Sequence, residues 1–311
     1  MENCKDFEPG FKKMENFELN KNQREGRNTL ILILSFLLIT IFYIFKRNKY
    51  ILITALILLS LCLFFFISDP ILTIRMADYL VARNIKTNHI LDKEKYFPQY
   101  KIYEEKFPIF KEELNKLLES SNQGKDVGFT KDTYGNSNIG RDVDKEKNRG
   151  WRIYHIMLGG KIIDSAKEHF PELIKNIKTH KQIKNVLISI LDENTTIPIH
   201  TGYYKGIMRF MLALKVPKER EKCYLCVNGD KYSWKEGETI LWDDNFPHKV
   251  FNKTSEQRVV IYMDLERPDL NYSGKFLNKT LDSVVYNSSI IKEEIKKTEK
   301  KTKNFQLKKI I

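Results

Sequence analysis

Six short apolar runs decide the fold of this chain: NVLISIL (185–191), GIMRFMLALKV (206–216), KCYLCVNG (222–229), KYSW (231–234), TILWDD (239–244) and RVVIYMDL (258–265). Each run has the length of an ordinary strand. Turn-forming sequences, such as Asn228-Gly229-Asp230 and Lys235-Glu236-Gly237, separate neighbouring runs. Evenly spaced short strands of this kind predict an antiparallel sandwich or barrel.

Helical patterns precede these strands. The segment KEELNKLLESS (111–121) places three leucines on one face of an amphipathic helix, and IIDSAKEHFPELIKNIK (162–178) contains a second helical pattern. Between them, residues 120–150 are rich in Gly, Asn and Asp and predict a loop. The expected fold class is therefore mainly β with flanking helices.

Two uncharged apolar runs lie near the start of the chain. TLILILSFLLITIFYIF (29–45) and ILITALILLSLCLFFFIS (51–68) are joined by the basic loop Lys46-Arg47-Asn48-Lys49. Each is close to the minimum length for crossing a hydrocarbon core of about 30 Å. Neither has a polar face, which argues against two buried core helices, and no small-residue cleavage site follows, which argues against a signal peptide. We expect a transmembrane helical hairpin.

These patterns divide the chain into five parts: a polar tail (1–28), two transmembrane helices (29–68), a helical connector (69–94), a folded domain (95–270) and a basic tail (271–311). The net charge of +13 is diffuse and does not by itself predict a nucleic-acid partner. The expected partners are a membrane and a substrate. Four cysteines make no disulfide framework, and Cys223 and Cys226 are either ordinary strand residues or an opportunistic disulfide.

Two histidines and two arginines occur at informative positions. His200 ends a predicted strand and loop, and His248 follows TILWDDNFP at a turn. On a barrel, two imidazoles at neighbouring strand ends can hold a first-row divalent metal with open coordination positions. Arg258 lies ten residues after His248, and Arg209 lies nine after His200. A guanidinium there suits a carboxylate co-substrate.

The region from about Phe97 to Pro268 resembles the aspartyl/asparaginyl β-hydroxylase family. The matching segments are IPIHTGYYKGIMRFMLALKVP, CYLCVNGDKYSWKEGETILWDDNFPHKVFN and RVVIYMDLERP. The resemblance implies a double-stranded β-helix of the jelly-roll, cupin-like type, with Fe(II) as cofactor and 2-oxoglutarate and dioxygen as co-substrates.

By position in the family motifs, His200 and His248 correspond to the iron ligands. Ser189, Arg209 and Arg258 correspond to residues that hold 2-oxoglutarate. Two features of the ligand set follow from the same resemblance. Most members of the wider superfamily carry an acidic ligand two residues after the first histidine, where this chain has Gly202, so iron would be held by two histidines and water. Met211 stands where animal enzymes carry a histidine near 2-oxoglutarate.

The resemblance implies hydroxylation of an Asp or Asn (or related) side chain in a protein substrate. Two alternatives remain open. The tetratricopeptide region of the animal enzymes is absent here, and a membrane-anchored bacterial branch acts on a lipid A acyl chain, so the substrate could instead be a lipid or small molecule. A non-catalytic membrane protein that retains the barrel is the other alternative.

A two-helix hairpin would put the tail before it and the domain after it on one side of the membrane. The distribution of Lys and Arg does not decide which side. The basic loop at 46–49 and the resemblance to lumenal animal enzymes favour a lumenal domain. Sequons for N-glycosylation begin at Asn194, Asn252, Asn271, Asn278 and Asn287.

Overall fold

The computed structural model describes residues 4–8, 11–15, 19–45, 50, 53, 56–57, 60, 70–120, 130–131, 150–202, 204–286, 292–293, 295–296 and 299–300. The helices are α1 (Lys21–Phe45), α2 (Pro70–Ala82), α3 (Lys93–Tyr96), α4 (Tyr100–Glu105), α5 (Phe107–Ser120), α6 (Pro171–Ile177) and α7 (Tyr272–Tyr286). The strands are β1 (Thr130–Lys131), β2 (Trp151–Leu158), β3 (Lys161–Ile162), β4 (Ile183–Leu191), β5 (Thr195–His200), β6 (Ile207–Lys215), β7 (Cys223–Val227), β8 (Asp230–Ser233), β9 (Thr239–Trp242), β10 (His248–Asn252) and β11 (Arg258–Glu266). Each of the six apolar runs therefore contributes a strand.

The strands form two antiparallel sheets. The larger sheet has the order β1-β2-β4-β11-β6-β9, with β3 beside β2, and the smaller sheet has the order β5-β10-β7-β8. Successive strands from β4 onward cross repeatedly from one sheet to the other, which is the arrangement of a jelly roll. The mainly-β, cupin-like fold expected for the domain is confirmed.

The two faces of the larger sheet have different neighbours. Its outer face packs against α3 to α6, where the ring of Phe210 on β6 lies 5.1 Å from Phe97 and 5.6 Å from Tyr103. Its inner face packs against the smaller sheet, and this second core contains Val260 and Met211 of the large sheet with Val250 of the small one. Because side chains alternate along a strand, every second residue of β4, β6 and β11 faces the barrel interior.

Helix α1 is longer than the sequence pattern predicted. It begins at Lys21, eight residues before the apolar run, and Lys21–Phe42 is long and apolar enough to cross a membrane. The predicted second span, residues 51–68, lies almost entirely outside the described residues, as does most of the predicted loop at 120–150. Close packing of α1 on α2 explains Gly26, where a Cβ atom would overlap the backbone carbonyl of Arg75.

The segment before α1 packs against the barrel instead of forming a free polar tail. Cys4 forms a disulfide with Cys226 on β7, and Cys223 is a buried free thiol. The backbone N–H of Met14 donates to Asn228 Oδ1 at 2.7 Å, and Asn228 Nδ2 donates back to the Met14 carbonyl at 2.9 Å. Neither interpretation of the CxxC pair predicted this bond. The two cysteines point to opposite faces of one strand, and Cys226 pairs with a residue 222 positions away.

The folded part also continues past the predicted boundary at residue 270. Leu270 packs with Val81 and Ile85, and Leu277 on α7 packs against the same cluster. The rest of the predicted basic tail, from 287 onward, is described only at isolated positions. Helix α7 therefore joins the connector helix α2 in supporting the barrel.

Candidate functional site

Two histidines meet at one end of the barrel. His200 is the last residue of β5 and His248 is the first residue of β10, and the two are direct partners across the antiparallel pair. Their ring centroids are 4.0 Å apart. The strand pairing thus brings together two side chains that are 48 positions apart in the sequence.

Both rings are held by backbone carbonyls. His200 Nδ1 lies 2.8 Å from the Pro198 carbonyl, and His248 Nδ1 lies 2.9 Å from the Phe246 carbonyl. A carbonyl only accepts, so each Nδ1 carries the proton, and each Nε2 keeps its lone pair. A backbone acceptor on one nitrogen is how metal-binding imidazoles are usually oriented.

Desolvation keeps both rings neutral. Burial lowers the pKa of His200, and burial together with neighbouring His200 lowers the pKa of His248 well below its ordinary value. The indole of Trp242 packs edge-on against the His248 ring, 4.8 Å between centroids. A neutral imidazole with an unprotonated Nε2 is the form that binds a metal ion.

The carboxylate of Asp244, which was not among the predicted site residues, lies beside this pair. A Cβ atom at Gly202 would overlap the carboxylate of Asp244, so this side chain fills the space next to the chain just after His200. The Gly202 backbone N–H also donates to the Asp244 carbonyl at 2.6 Å. The acidic pair Asp243-Asp244 close before His248 is the feature of the sequence that could have indicated a carboxylate here. The sequence does not show in which direction the two side chains point.

Arg209 lies at the same end of the barrel and is already paired. Its Nε donates to Asp244 at 2.8 Å, and its Nη1 donates to Asp264. The guanidinium also lies over the Tyr262 ring, 4.9 Å from its centroid. Asp264 in turn accepts from Asn185 at 2.6 Å. The prediction that Arg209 holds the co-substrate stays a prediction, and its guanidinium is shared with two carboxylates.

Arg258 lies at the opposite, deep end of the interior and has no such partner. Its side chain is 2% exposed, its Nε has no hydrogen-bond partner, and no carboxylate pairs with it among the described residues. The guanidinium lies over the Trp234 ring at 4.8 Å, and the Trp234 Nε1 is also without a partner. Burial lowers the pKa of Arg258 to about 10, so the side chain stays cationic at neutral pH. An orphaned buried cation of this kind fits an anionic ligand.

Ser189, the third residue predicted to hold 2-oxoglutarate, also faces the barrel interior. Ser189 on β4 is the direct partner of Val260, two residues from Arg258, and its Oγ accepts from Trp151 Nε1 at 3.0 Å. Its hydroxyl proton remains available to a second acceptor. Met211, also on the inner face, offers only a weakly accepting thioether.

Within the described residues, no group of three or more His, Cys, Asp and Glu side chains could hold a metal ion. The candidate site is therefore a two-histidine site at the mouth of a jelly roll, with a paired arginine beside it and an unpaired arginine below it. In this arrangement the two imidazoles could hold a metal ion at the mouth, and the unpaired guanidinium could bind an anion deeper in the barrel.

The family model described as aspartyl/asparaginyl beta-hydroxylase matches residues 104–268, more than half of the 311-residue chain. The protein belongs to this family of hydroxylases, and the resemblance found in its motifs is confirmed.

The chain is similar to two kinds of hydroxylase, one named for a lipid substrate and one named for aspartyl and asparaginyl side chains. An ornithine lipid ester-linked acyl 2-hydroxylase from Rhizobium tropici is 25% identical over 198 residues, which are 63% of this chain and 67% of that protein. Human aspartyl/asparaginyl beta-hydroxylase is 33% identical over 103 residues, which are 33% of this chain and 13% of that protein. Among solved structures, the Schizosaccharomyces pombe Cnp3 cupin domain matches with a TM-score of 0.27 at 10% identity, over 42% of this chain and 69% of that domain.

Proposed function

We propose that this protein is a membrane-anchored hydroxylase that uses Fe(II), 2-oxoglutarate and dioxygen. The observation that carries the proposal is the orphaned guanidinium of Arg258 below two histidines whose Nδ1 protons point to backbone carbonyls, which leaves the lone pair on each Nε2. Bound iron would supply the oxidising chemistry, in which dioxygen delivers one oxygen atom to a substrate C–H bond and the other to 2-oxoglutarate, giving succinate and carbon dioxide.

The chain's own residues would divide the work as follows. His200 and His248 would hold the metal through Nε2. Arg258 would bind the distal carboxylate of 2-oxoglutarate, with the Ser189 hydroxyl as a second donor, because a buried guanidinium without an anion gains a charge-assisted hydrogen bond there. Arg209 would keep Asp244 in place next to His200, and it could reach the co-substrate only by exchanging a carboxylate partner.

The base of the membrane anchor contacts the loop that carries His248. Asn20 Nδ2 donates to the Asn245 carbonyl at 3.3 Å, and Gln23 Nε2 donates to Asn245 Oδ1 at 3.4 Å. The apolar run begins at Thr29, six residues after Gln23, which is roughly 9 Å along a helix. The candidate site would therefore lie close to the membrane surface.

A site at the membrane surface favours a lipid over a soluble protein as the substrate. Lipid carbons near the head group would be within reach of the barrel mouth without leaving the bilayer. The similarity to the Rhizobium tropici lipid hydroxylase supports the same choice. Hydroxylation of an Asp or Asn side chain, the activity in the name of the human relative, is the competing outcome of the test below.

The contacts of the first residues support a two-span topology. Cys4 before α1 and Cys226 in the barrel can form a disulfide only if both lie on the same side of the membrane. The chain would then cross an even number of times, with residues 51–68 as the returning span. Disulfides persist in oxidising compartments, so the domain would face the lumen or the cell exterior.

Glycosylation gives only limited support to this topology. Asn252 and Asn278 are 1% and 3% exposed and cannot carry glycans in the folded protein. Asn194 and Asn271 are the exposed sequons among the described residues.

The experiment uses the full chain in phosphatidylcholine vesicles with Fe(II), 2-oxoglutarate and dioxygen. The two substrate probes are an ornithine lipid in those vesicles and a soluble peptide that contains Asp and Asn. We expect succinate in amounts that match the hydroxylated lipid. Equal succinate with and without either probe would contradict the substrate assignment, and succinate matched to hydroxylated peptide would transfer it to protein side chains.

A further inference from the structure

The inner face of β2 carries a histidine that the proposed chemistry does not use. Trp151 and His155 lie on the same face of this strand, because residues alternate in direction. The hydrogen bond from Trp151 to Ser189 identifies that face as the barrel interior. Tyr154, between them, packs in the opposite core beneath the helices. His155 therefore points toward the space between the two sheets.

The register of the large sheet shows where His155 lies relative to the mouth. His155 is the partner of Leu187 on β4, Leu187 is the partner of Tyr262 on β11, and Tyr262 is the partner of Met211 on β6. These four residues form one row across the interior. Tyr262 is partly exposed, whereas Arg258 is buried. The row is thus on the mouth side of the interior.

The same register separates His155 from the deep end. Arg258 is the partner of Leu191, and Leu191 is four residues from Leu187, the partner of His155. Four residues of strand correspond to roughly 13 Å. His155 and Arg258 are therefore too far apart to bind the same carboxylate of a small acid.

His155 is buried without satisfying either of its polar atoms. Its side chain is 2% exposed, and neither Nδ1 nor Nε2 has a hydrogen-bond partner among the described residues. By contrast, His200 and His248 each donate from Nδ1 to a backbone carbonyl. A buried polar group without a partner destabilises the folded state, so an apolar residue would serve this position better if packing were its only role.

The environment of the ring also defines the chemistry of its missing partner. Burial lowers the pKa of His155 to about 4, so the imidazole is neutral at physiological pH. A neutral imidazole presents one N–H donor and one acceptor nitrogen. This pair suits a carbonyl, amide or hydroxyl group and does not suit a phosphate or a free carboxylate.

We propose that His155 is a specificity-determining residue that binds a neutral polar group, such as an ester or amide carbonyl, of the primary substrate. The proposal rests on the hydroxylase function proposed above. The barrel interior would then have two binding regions. Arg258 would bind the co-substrate at the deep end, and His155 would bind the primary substrate toward the mouth.

The test compares His155→Phe, His155→Gln and the control His180→Phe in the full chain. His180 is a partly exposed histidine outside the barrel, where its ring packs near Phe97. For His155→Phe we expect a Tm higher by about 2–4 °C, since an unsatisfied polar group is removed. Iron content, the Kd for 2-oxoglutarate and substrate-free succinate formation should equal those of the wild type.

With ornithine lipid in phosphatidylcholine vesicles as the probe, His155→Phe should raise the KM about tenfold, near the upper end of what one hydrogen bond contributes. His155→Gln, which keeps a donor and an acceptor, should recover part of this loss, and His180→Phe should change nothing. An unchanged KM in His155→Phe, or a weaker Kd for 2-oxoglutarate, would overturn the proposal.

If the wild type forms no succinate under any condition, the proposed hydroxylase function is wrong. The role of His155 is then tested by a second measurement. In that case the Tm increase caused by ornithine lipid vesicles is measured for both proteins. A larger increase in the wild type than in His155→Phe supports a lipid contact at His155, and equal increases exclude it.

Discussion

The two arginines that the sequence predicts for one task lie at opposite ends of the barrel and in opposite electrostatic settings. Arg209 at the mouth is 13% exposed and is paired with Asp244 and Asp264. Arg258 at the deep end is buried beside an indole, and no carboxylate pairs with it among the described residues. On β11, Arg258 is six residues from Asp264, the partner of Arg209, which is roughly 20 Å of strand.

This difference shows why residue type and spacing do not assign a binding role. A guanidinium paired with two carboxylates already has its positive charge neutralised, and a new anion must displace one of them. A buried guanidinium with no carboxylate gains the full benefit of an anionic ligand. The comparison therefore supports the proposal that Arg258 binds the co-substrate carboxylate and that Arg209 has a supporting role.

Replacing Arg258 should lower activity more than replacing Arg209, and it should raise stability instead of lowering it. Arg258→Met removes a buried cation but keeps a side chain of similar length, so the free energy of unfolding should rise by about 1–3 kcal/mol. The Kd for 2-oxoglutarate should rise at least about a hundredfold, since a charge-assisted pair is lost. Thermal unfolding and ligand binding by calorimetry check both halves. A variant that is less stable and binds the co-substrate normally would break the comparison.

Replacing Arg209 should act in the reverse direction on stability. Arg209→Met leaves the carboxylates of Asp244 and Asp264 largely buried without their cation, so the free energy of unfolding should fall by about 3 kcal/mol. The double change Arg209→Met with Asp264→Asn should recover part of that loss, because one uncompensated charge is removed. Denaturant unfolding of the single and double variants measures this coupling, and additive losses would contradict it.

The strands and the two histidines could be predicted because they depend on local pattern and motif order. Each of the six apolar runs forms a strand as predicted. The antiparallel pairing of β5 with β10 brings His200 and His248 together as expected. The pairing of Arg209 with Asp264 could not be predicted, since it depends on the register of β6 against β11. The disulfide between Cys4 and Cys226 is similarly a contact over 222 positions, beyond any local signal.

The length of α1 was missed for a related reason. Residues 21–28 are polar, and their helical state is stabilised by contacts with the barrel and with α2, namely those of Gln23 with Asn245 and of Glu25 with Arg75 on α2. Tertiary contacts therefore extend the helix beyond the apolar run from which it was predicted.

A smaller effect comes from a buried carboxyl group at the mouth side. Asp78 on α2 accepts from the Lys205 backbone N–H at 2.5 Å, its second oxygen has no hydrogen-bond partner in the described part of the chain, and burial raises its pKa to about 8. Unlike Arg258, this group can become neutral near physiological pH by binding a proton.

The sign of the resulting pH dependence follows from proton binding. Between about pH 4 and pH 8 folded Asp78 retains a proton that the unfolded chain has lost, so this group's contribution to stability falls as the pH rises. Asp78→Asn should flatten the dependence of the free energy of unfolding on pH over this interval. Gln23, Lys205 and Asp243 also interact with Asp78 and are unchanged in the variant. Identical slopes in the two proteins would show that Asp78 does not titrate in this way.

The proposed function requires that the two histidines hold iron and that Arg258 holds 2-oxoglutarate. The most direct measurement is an anaerobic titration of the full chain with Fe(II) and then 2-oxoglutarate, followed by metal analysis and by the visible charge-transfer absorption of the iron–2-oxoglutarate complex. We predict one iron and the absorption band in the wild type, neither in the double variant His200→Ala with His248→Ala, and iron with a much weaker co-substrate response in Arg258→Met. Iron binding that survives loss of both histidines, or an undiminished band in Arg258→Met, would contradict the account.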